Sequence, residues 1–263
     1  MSAKYNMLYP PLVERIYAEE RAKYKKQADA EKSAKTRLHQ MYGAYVQGNI
    51  HKKATALLGE LEEQDSLESL NKICVSIMGL HASTRERLPF IRQFYDFISA
   101  HTGKVTTVMD LGCGLNPFSM PFLGFDAGAL PSAYFAYDID MRTSELLNRF
   151  FSCLGMPQYA GCMDLAVNTP KERVDLAILC KLLPVLEAQT PGRGFQLVCG
   201  IDAEFIVITY PLKSLGGREK GMGRNYSAAF AGAMEAGLLK RKSGNFVLAG
   251  QASIGNELVF ILK

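Results

Sequence analysis

From residue 105 onward, short apolar segments alternate with segments of helical character, and this alternation constrains the fold more than any other feature. The predicted strands lie at residues 105–111, 133–138, 159–163, 174–179 and 205–209. Predicted helices lie at 141–154, 182–187 and 195–200, and a closing hairpin is predicted at 246–248 and 257–262. Such alternation is typical of a doubly wound α/β sheet, which binds its ligand at the carboxyl ends of the strands.

The first hundred residues have a different pattern. Residues 12–46 predict two helices with a lysine-rich joint at 23–26, and residues 50–80 predict one or two more. An amphipathic helix is predicted at 84–100, and no strand is predicted before residue 104. We therefore predict two domains, a helical module over residues 1–80 and an α/β domain over residues 81–263.

Composition excludes several classes of protein. The chain has 263 residues, 48% of them hydrophobic, which is enough for one substantial core. No apolar run approaches the roughly 18 residues of a membrane span, and the polar N-terminus does not resemble a secretory signal. The six cysteines form no CxxC pair and the four histidines are scattered, so we expect free thiols, no metal site and a cytoplasmic protein.

The net charge of +4 is unevenly distributed. Residues 1–53 carry 11 Lys/Arg against 5 Asp/Glu, residues 54–204 carry 11 against 18, and residues 205–263 carry 8 against 3. Two basic ends around an acidic middle favour a polyanionic partner that is bound at both ends. The alternative is that the basic helices are simply solvated.

A glycine motif follows the first predicted strand. Asp110 ends that strand and Gly112 and Gly114 follow, which lets the backbone turn tightly and approach a ligand. The third glycine of a dinucleotide-binding motif is missing, because Asn116 and Pro117 occupy that region. This argues against a nicotinamide-dependent dehydrogenase.

Acidic residues also follow the next two predicted strands. Asp138 ends the second strand and Asp164 follows the third, while Cys180 and Lys181 end the fourth. An acid at the end of each of the first three strands suits a ligand with a ribose, an amino group and no phosphate, as in S-adenosylmethionine. The alternative for any single aspartate is that it caps a helix or a turn.

This ordering resembles the class I S-adenosylmethionine-dependent methyltransferases. Further segments make the sequence similar to the aminoglycoside-resistance 16S rRNA (guanine-N7) methyltransferases of the Arm/Rmt type, from about residue 36 to the C-terminus. The segments that carry this resemblance are TRLH at 36–39, GAYV at 43–46, LHASTRERL at 80–88, GCGLNP at 112–117, KLLP at 181–184, SLGGREKGM at 214–222, NY at 225–226 and GNEL at 255–258.

The resemblance implies a set of residues that bind the cofactor S-adenosylmethionine. At the methionine end it implies Tyr45, His81, Ala82, Ser83, Arg87 and Gly112, with Arg87 paired to the methionine carboxylate. It implies Asp138 at the ribose, Met163 and Asp164 at the adenine, and Cys180 and Gln189 near the adenine and the rim.

A second set is predicted to contact RNA. The segment 212–224 contains four glycines and four cations, which favours contact with phosphate over a buried turn. The predicted RNA-binding residues are Lys25, Lys26, Lys213, Arg218, Lys220, Met222, Arg224 and Tyr226. By the resemblance, the segment from Ser214 to Tyr226 meets the target nucleotide.

The family's target is guanosine 1405 of 16S rRNA in the assembled 30S subunit, and the resemblance implies that activity here. Nitrogen 7 of guanine has a free lone pair, so no catalytic general base is expected. We also expect no DNA or membrane partner, and a monomer. Two alternatives stay open: a methyltransferase for the neighbouring adenosine, and a non-catalytic rRNA-binding or assembly factor.

Overall fold

The computed structural model describes residues 5–43, 49–61, 67–123, 130–213, 222–241 and 244–263. The predicted binding residues Tyr45, Arg218 and Lys220 lie outside these ranges. Within the described part, no helix is long and apolar enough to cross a membrane.

Six α-helices lie in the described part of the first 102 residues. They are α1 (Pro10–Lys23), α2 (Gln27–Leu38), α3 (Ile50–Leu61), α4 (Leu67–Met78), α5 (Ala82–Arg87) and α6 (Ile91–Thr102). The predicted joint near residues 23–26 is confirmed, because Tyr24 leaves the helix with extended backbone angles. The single helix predicted at 84–100 is wrong in detail. A short 3₁₀ turn at Leu88–Phe90, which contains Pro89, separates α5 from α6.

The remainder of the chain forms an α/β sheet with its covering helices. The strands are β1 (Thr107–Leu111), β2 (Ala133–Asp138), β3 (Ala160–Cys162), β4 (Arg173–Cys180), β5 (Asp202–Pro211), β6 (Lys240–Arg241), β7 (Gly244–Asn245), β8 (Leu248–Ile254) and β9 (Glu257–Leu262). The helices are α7 (Met141–Cys153), α8 (Leu183–Gln189), α9 (Arg193–Gly200) and α10 (Met222–Glu235).

The main sheet has the order β3-β2-β1-β4-β5-β9-β8, which confirms the predicted α/β fold. Strands β1 to β5 pair in parallel, and β9 lies antiparallel to both β5 and β8. After β1 the chain continues to β2 on one side, and it returns to β4 on the other. This reversal between β1 and β4 opens a crevice at the carboxyl ends of the strands, where open α/β sheets bind their ligands.

Central strands are buried on both faces, as parallel sheets require. Val108 and Ile178 pack in the cluster that contains α6 and α7, whereas Met109 and Leu179 pack with α8 and α9 on the other face. Successive residues of β1 and β4 therefore pack on opposite faces of the sheet, and the two strands form the middle layer of a three-layer core.

The helical module is attached to this core in two ways. Helices α3 and α4 share the core cluster of the sheet and α7, whereas α1 and α2 form a separate cluster around Leu12, Ile16 and Leu38, against which Ile139 packs. Backbone hydrogen bonds from Tyr9 N to Ile139 O (2.8 Å) and from Met141 N to Met7 O (2.9 Å) join this cluster to the end of β2. The domain division at residues 80 and 81 stays a prediction.

Two elements near the C-terminus differ from prediction. The closing hairpin is present, but its first strand is β8 at Leu248–Ile254, so Phe246 lies before it as a buried core residue. The predicted loop 212–224 is wrong in its last residues, because α10 begins at Met222 and includes Arg224.

Candidate active site

A cleft lies at the carboxyl ends of β1, β2 and β4, the edge at which open α/β sheets bind their ligands. Eight predicted cofactor residues line it, namely His81, Ser83, Gly112, Asp138, Met163, Asp164, Cys180 and Gln189. Ala82 and Arg87 are absent from the lining, although both belong to α5 beside it.

The glycine turn after β1 forms the floor of the cleft. Gly112 and Gly114 have φ values of +65° and +50°, which side chains other than hydrogen disfavour. A Cβ on Gly112 would stand 2.8 Å from Leu182 Cδ1, and one on Gly114 would stand 3.2 Å from His81 Cε1. The turn therefore needs glycine both for its backbone angles and for the space above it.

Asp138 ties this turn to the end of β2. Its Oδ2 accepts a hydrogen bond from Gly114 N (2.8 Å), and its Oδ1 accepts from Ile139 N (2.7 Å) and Asp140 N (3.1 Å). Burial raises the pKa of this carboxyl, against the three backbone donors, which lower it. The bonds fix the carboxylate in the cleft wall, and Oδ2 keeps acceptor capacity for the hydroxyls of a bound ribose.

Asp164 lies at the other predicted ligand position, after β3. Its side chain is almost fully buried and receives a two-pronged ion pair from Arg15 of α1, with Arg15 Nε 2.6 Å from Oδ2. Arg15 Nη2 also lies 3.3 Å from Gln189 Oε1. Apolar groups of Leu165, Ala166 and Leu186 complete this end of the cleft. Sequence reasoning missed Arg15, which lies 149 positions from Asp164.

Arg87 is held by the protein itself. Its Nε and Nη2 donate to the two carboxylate oxygens of Glu257 at 2.9 Å each, and its Nη1 donates to Asn116 Oδ1 at 2.6 Å. The sequence predicted a pairing with the cofactor's carboxylate. The structure instead gives this arginine an internal carboxylate from the closing hairpin, a partner that local sequence cannot reveal.

Ionisable groups in the cleft are shifted toward their neutral forms. Burial lowers the pKa of His81 to about 4 and raises the pKa of the Cys180 thiol to about 12. At neutral pH the first is an uncharged imidazole and the second is a protonated thiol, which is a poor nucleophile.

Lys181 lines the cleft directly after β4 but was not among the predicted site residues. It has φ +56°, which is uncommon for a residue with a side chain and is found mostly where function requires it. Its Nζ lies 2.8 Å from Glu86 Oε2 and 3.6 Å from Glu257 Oε1. The signal that could have identified it was its place immediately after the fourth strand.

The helical module supplies part of the lining. Leu12, Met41, Tyr42, Ile50 and His51 all face the cleft. Tyr42 donates a hydrogen bond to the Asp140 carboxylate, and His51 Nε2 lies 3.0 Å from Thr143 Oγ1. The sequence predicted only Tyr45 from this region. The structure thus makes the module a wall of the cleft, which helical periodicity alone did not indicate.

The structure describes some of the predicted RNA-binding residues, and they belong to different elements of the fold. Lys25 and Lys26 are exposed at the joint between α1 and α2, and Lys213 is exposed after β5. Tyr226, in α10, is half-buried and stacks on Tyr210 with ring centroids 4.6 Å apart. Met222 and Arg224 belong to the first turn of α10.

This sheet order, with a glycine turn after β1 and carboxylates after β2 and β3, defines a class I S-adenosylmethionine-dependent methyltransferase. Residues 1–261 match the family described as ribosomal RNA methyltransferase (FmrO), and the chain belongs to that family.

Named relatives and solved structures are similar over almost the whole chain. The 16S rRNA (guanine(1405)-N(7))-methyltransferase of Serratia marcescens is 33% identical over 263 residues, covering 100% of this chain and 94% of that protein. The protein of the same name from Micromonospora rosea is 34% identical, covering 89% and 82%. The crystal structure of the 16S rRNA methyltransferase RmtF with S-adenosyl-L-homocysteine has a TM-score of 0.83 at 33% identity, covering 98% of this chain and 92% of that one. The 16S rRNA methylase RmtB has a TM-score of 0.78 at 28% identity, covering 100% and 93%.

Proposed function

We propose that this protein transfers a methyl group from S-adenosylmethionine to nitrogen 7 of guanosine 1405 of 16S rRNA in the assembled 30S subunit. The observation that carries the proposal is a cleft with the glycine turn, Asp138 and Asp164 in a chain that matches guanine(1405)-N(7) methyltransferases along their length. The cleft suits this cofactor, because the glycine turn of Gly112 and Gly114, the Asp138 carboxylate and the Asp164 carboxylate all line it.

The groups in the cleft suit a transfer without acid–base chemistry. Bound S-adenosylmethionine supplies an electrophilic methyl group, and guanine nitrogen 7 carries no proton that must be removed. The low pKa of His81 makes its imidazole a weak base, and the high pKa of Cys180 keeps its thiol protonated, so neither group provides a strong base or a thiolate at physiological pH. The contribution of the chain is to orient the reactants and exclude water, which can supply a large part of a rate enhancement.

We assign the cofactor contacts as the resemblance implies, with one change. Asp138 takes the ribose, Met163 and Asp164 take the adenine, and His81 and Ser83 face the methionine end. Arg87 already pairs with Glu257, so we propose that it supports the methionine end by positioning Glu257 and Asn116. Cys180 and Gln189 line the wall, and the assignment of Tyr45 and Ala82 to the methionine end stays a prediction of the resemblance.

The basic regions are proposed to bind the ribosome. Guanine nitrogen 7 faces the deep, narrow major groove of A-form RNA, so the enzyme must turn the nucleotide out of the helix. The N-terminal helices with Lys25 and Lys26 dock on rRNA, and the segment from Lys213 to Tyr226 holds the displaced guanosine. We also propose that the protein is a monomer and that it acts in the cytoplasm, where its 30S substrate is found.

Expression in an aminoglycoside-sensitive bacterium tests this function. A methyl group at guanosine 1405 adds bulk and positive charge where cationic 4,6-disubstituted deoxystreptamines bind, so gentamicin and kanamycin resistance should rise while neomycin and apramycin still kill. Asp138→Ala is the matched inactive control. Apramycin resistance would instead favour methylation of the neighbouring adenosine, and an unchanged drug profile with 30S binding would favour a non-catalytic factor.

A further inference from the structure

Arg15 and Asp164 form an ion pair between the first helix and the adenine end of the cleft. Arg15 Nε lies 2.6 Å from Oδ2 and Nη2 lies 3.2 Å from Oδ1, so both carboxylate oxygens are held. The Asp164 side chain is 3% exposed and that of Arg15 is 16% exposed. A guanidinium that contacts both oxygens of a carboxylate fixes the plane and direction of that carboxylate.

The same guanidinium orients a second polar group at this end. Its Nη2 lies 3.3 Å from Gln189 Oε1, and Gln189 Nε2 donates to Val185 O at 3.2 Å. Arg15 therefore orients both the Asp164 carboxylate and the Gln189 side-chain amide at this end of the cleft. Arg193 lies near enough to interact electrostatically with Asp164, but its guanidinium donates to Leu165 O and Asn168 O instead.

Helix α1 is itself part of the cleft wall. Leu12 lies one helical turn before Arg15 and lines the cleft, as residues three apart share a helix face. Arg15 is also tied to its own helix, because Nη1 lies 2.7 Å from Glu19 Oε1. The arginine is thus fixed on a rigid element that lies against the adenine end.

We propose that Arg15 is a positioning residue for S-adenosylmethionine, which orients Asp164 so that its carboxylate can accept a hydrogen bond from the adenine amino group. This inference rests on the proposed function for the identity of the cofactor. It also gives the helical module a task in cofactor recognition, in addition to rRNA docking.

The test compares two ligands on the free protein by calorimetry. One is S-adenosylhomocysteine and the other is its analogue in which hydrogen replaces the 6-amino group of adenine. Wild type should prefer the amino compound by about tenfold or more, the size expected for a hydrogen bond to a charged acceptor. Arg15→Ala should lose most of this preference. Arg21→Ala removes the same charge from an exposed position of α1 and should keep it.

A purely structural role for Arg15 would weaken both ligands equally and leave their ratio unchanged, and that result, like unchanged binding of both, would overturn the inference. Arg15→Lys keeps the charge but loses the two-pronged geometry, so it should retain part of the preference even if Arg15→Ala fails to fold. Failure of the proposed function is distinguishable, because it appears as wild-type protein that binds S-adenosylhomocysteine but leaves 30S subunits unmethylated.

Discussion

Arg87 and Glu257 form a buried, two-pronged ion pair that joins α5 to the start of β9. The two residues are 170 positions apart, and their side chains are 2% and 4% exposed. Lys181 Nζ lies 3.6 Å from the same carboxylate, so the pair also borders the residue that follows β4. Through this contact the C-terminal hairpin supports α5 at the side of the cleft lined by His81 and Ser83.

Breaking this pair should destabilise the protein. Arg87→Met leaves the Glu257 carboxylate buried without its two-pronged partner, and such a change typically costs about 3–5 kcal/mol of unfolding free energy. Urea unfolding followed by circular dichroism measures the loss. Arg92→Met, at an exposed position of α6, is the control and should change the unfolding free energy by less than about 0.5 kcal/mol. An Arg87→Met variant as stable as wild type would contradict the assigned role.

Gly112→Ala should impair folding stability and cofactor binding together. The new Cβ meets Leu182 Cδ1 at 2.8 Å and occupies a positive φ. Gly155→Ala is a matched control, since Gly155 has the same φ of +65° with no atom near its Cβ position. Both variants should lose about 1–2 kcal/mol of stability from backbone strain. Only Gly112→Ala should weaken S-adenosylhomocysteine binding in calorimetry. Equal binding by the two variants would contradict a role for the glycine turn in cofactor binding.

Asp138→Ala should abolish measurable cofactor binding. The substitution removes the ribose acceptor and also frees the backbone donors of Gly114, Ile139 and Asp140. Asp202→Asn, at the opposite end of the sheet, should bind S-adenosylhomocysteine like wild type. Calorimetry compares the two. Wild-type affinity in Asp138→Ala would exclude this carboxylate from the site.

Asp110 should make stability depend on pH. Burial raises the pKa of its carboxyl to about 7, while Asn116 and Tyr134 donate to Oδ2 and oppose the shift. The folded state therefore binds this proton more tightly than the unfolded chain, so the stabilisation is complete below about pH 4 and is lost as pH rises through about 7.

Asp110→Asn removes this titration and isolates it from the other groups. As pH rises from 5 to 8, the unfolding free energy of the variant should increase relative to that of wild type by on the order of 1 kcal/mol or more. Urea unfolding of both proteins at the two pH values measures the difference. A constant difference between them would mean that Asp110 does not titrate in this interval.

Charge reversal at Lys25 and Lys26 should weaken binding to 30S subunits and leave cofactor affinity intact. Both side chains are exposed at the α1–α2 joint, and phosphate contacts there make binding depend on salt. Lys104→Glu, exposed before β1 at the far end of the sheet, is the control. In filter binding across a salt titration, the logarithm of the binding constant should fall less steeply with the logarithm of the salt concentration for the double variant than for wild type or Lys104→Glu. Equal slopes would argue against docking through this joint.

Local patterns predicted most of the fold. Strand β2 lies at the predicted residues, and the other parallel strands differ from prediction by a few residues at their ends, because apolar runs reflect burial in a parallel sheet. Helix α10 was missed because glycine-rich sequence before it indicated a loop that continued to Arg224. Similarly, β8 alternates small and polar residues and lacks a continuous apolar run.

The cleft was predictable where its residues follow strands, and less so where it depends on distant contacts. Asp138 and Gly112 belong to short motifs with a chemical reason for each residue. Arg15 with Asp164, and Arg87 with Glu257, are paired only by the tertiary fold. No spacing rule connects residues that are 149 or 170 positions apart, so neither ion pair could be predicted from the sequence.

The central claim is methylation of guanosine 1405 at nitrogen 7, and mapping the modified base tests it most directly. Purified 30S subunits are incubated with the protein and S-adenosylmethionine, and the rRNA is then reduced, cleaved at 7-methylguanosine and read by primer extension. We predict a new stop at guanosine 1405 with wild-type protein and none with Asp138→Ala. A stop elsewhere, or incorporation of the methyl group at the neighbouring adenosine, would contradict the account.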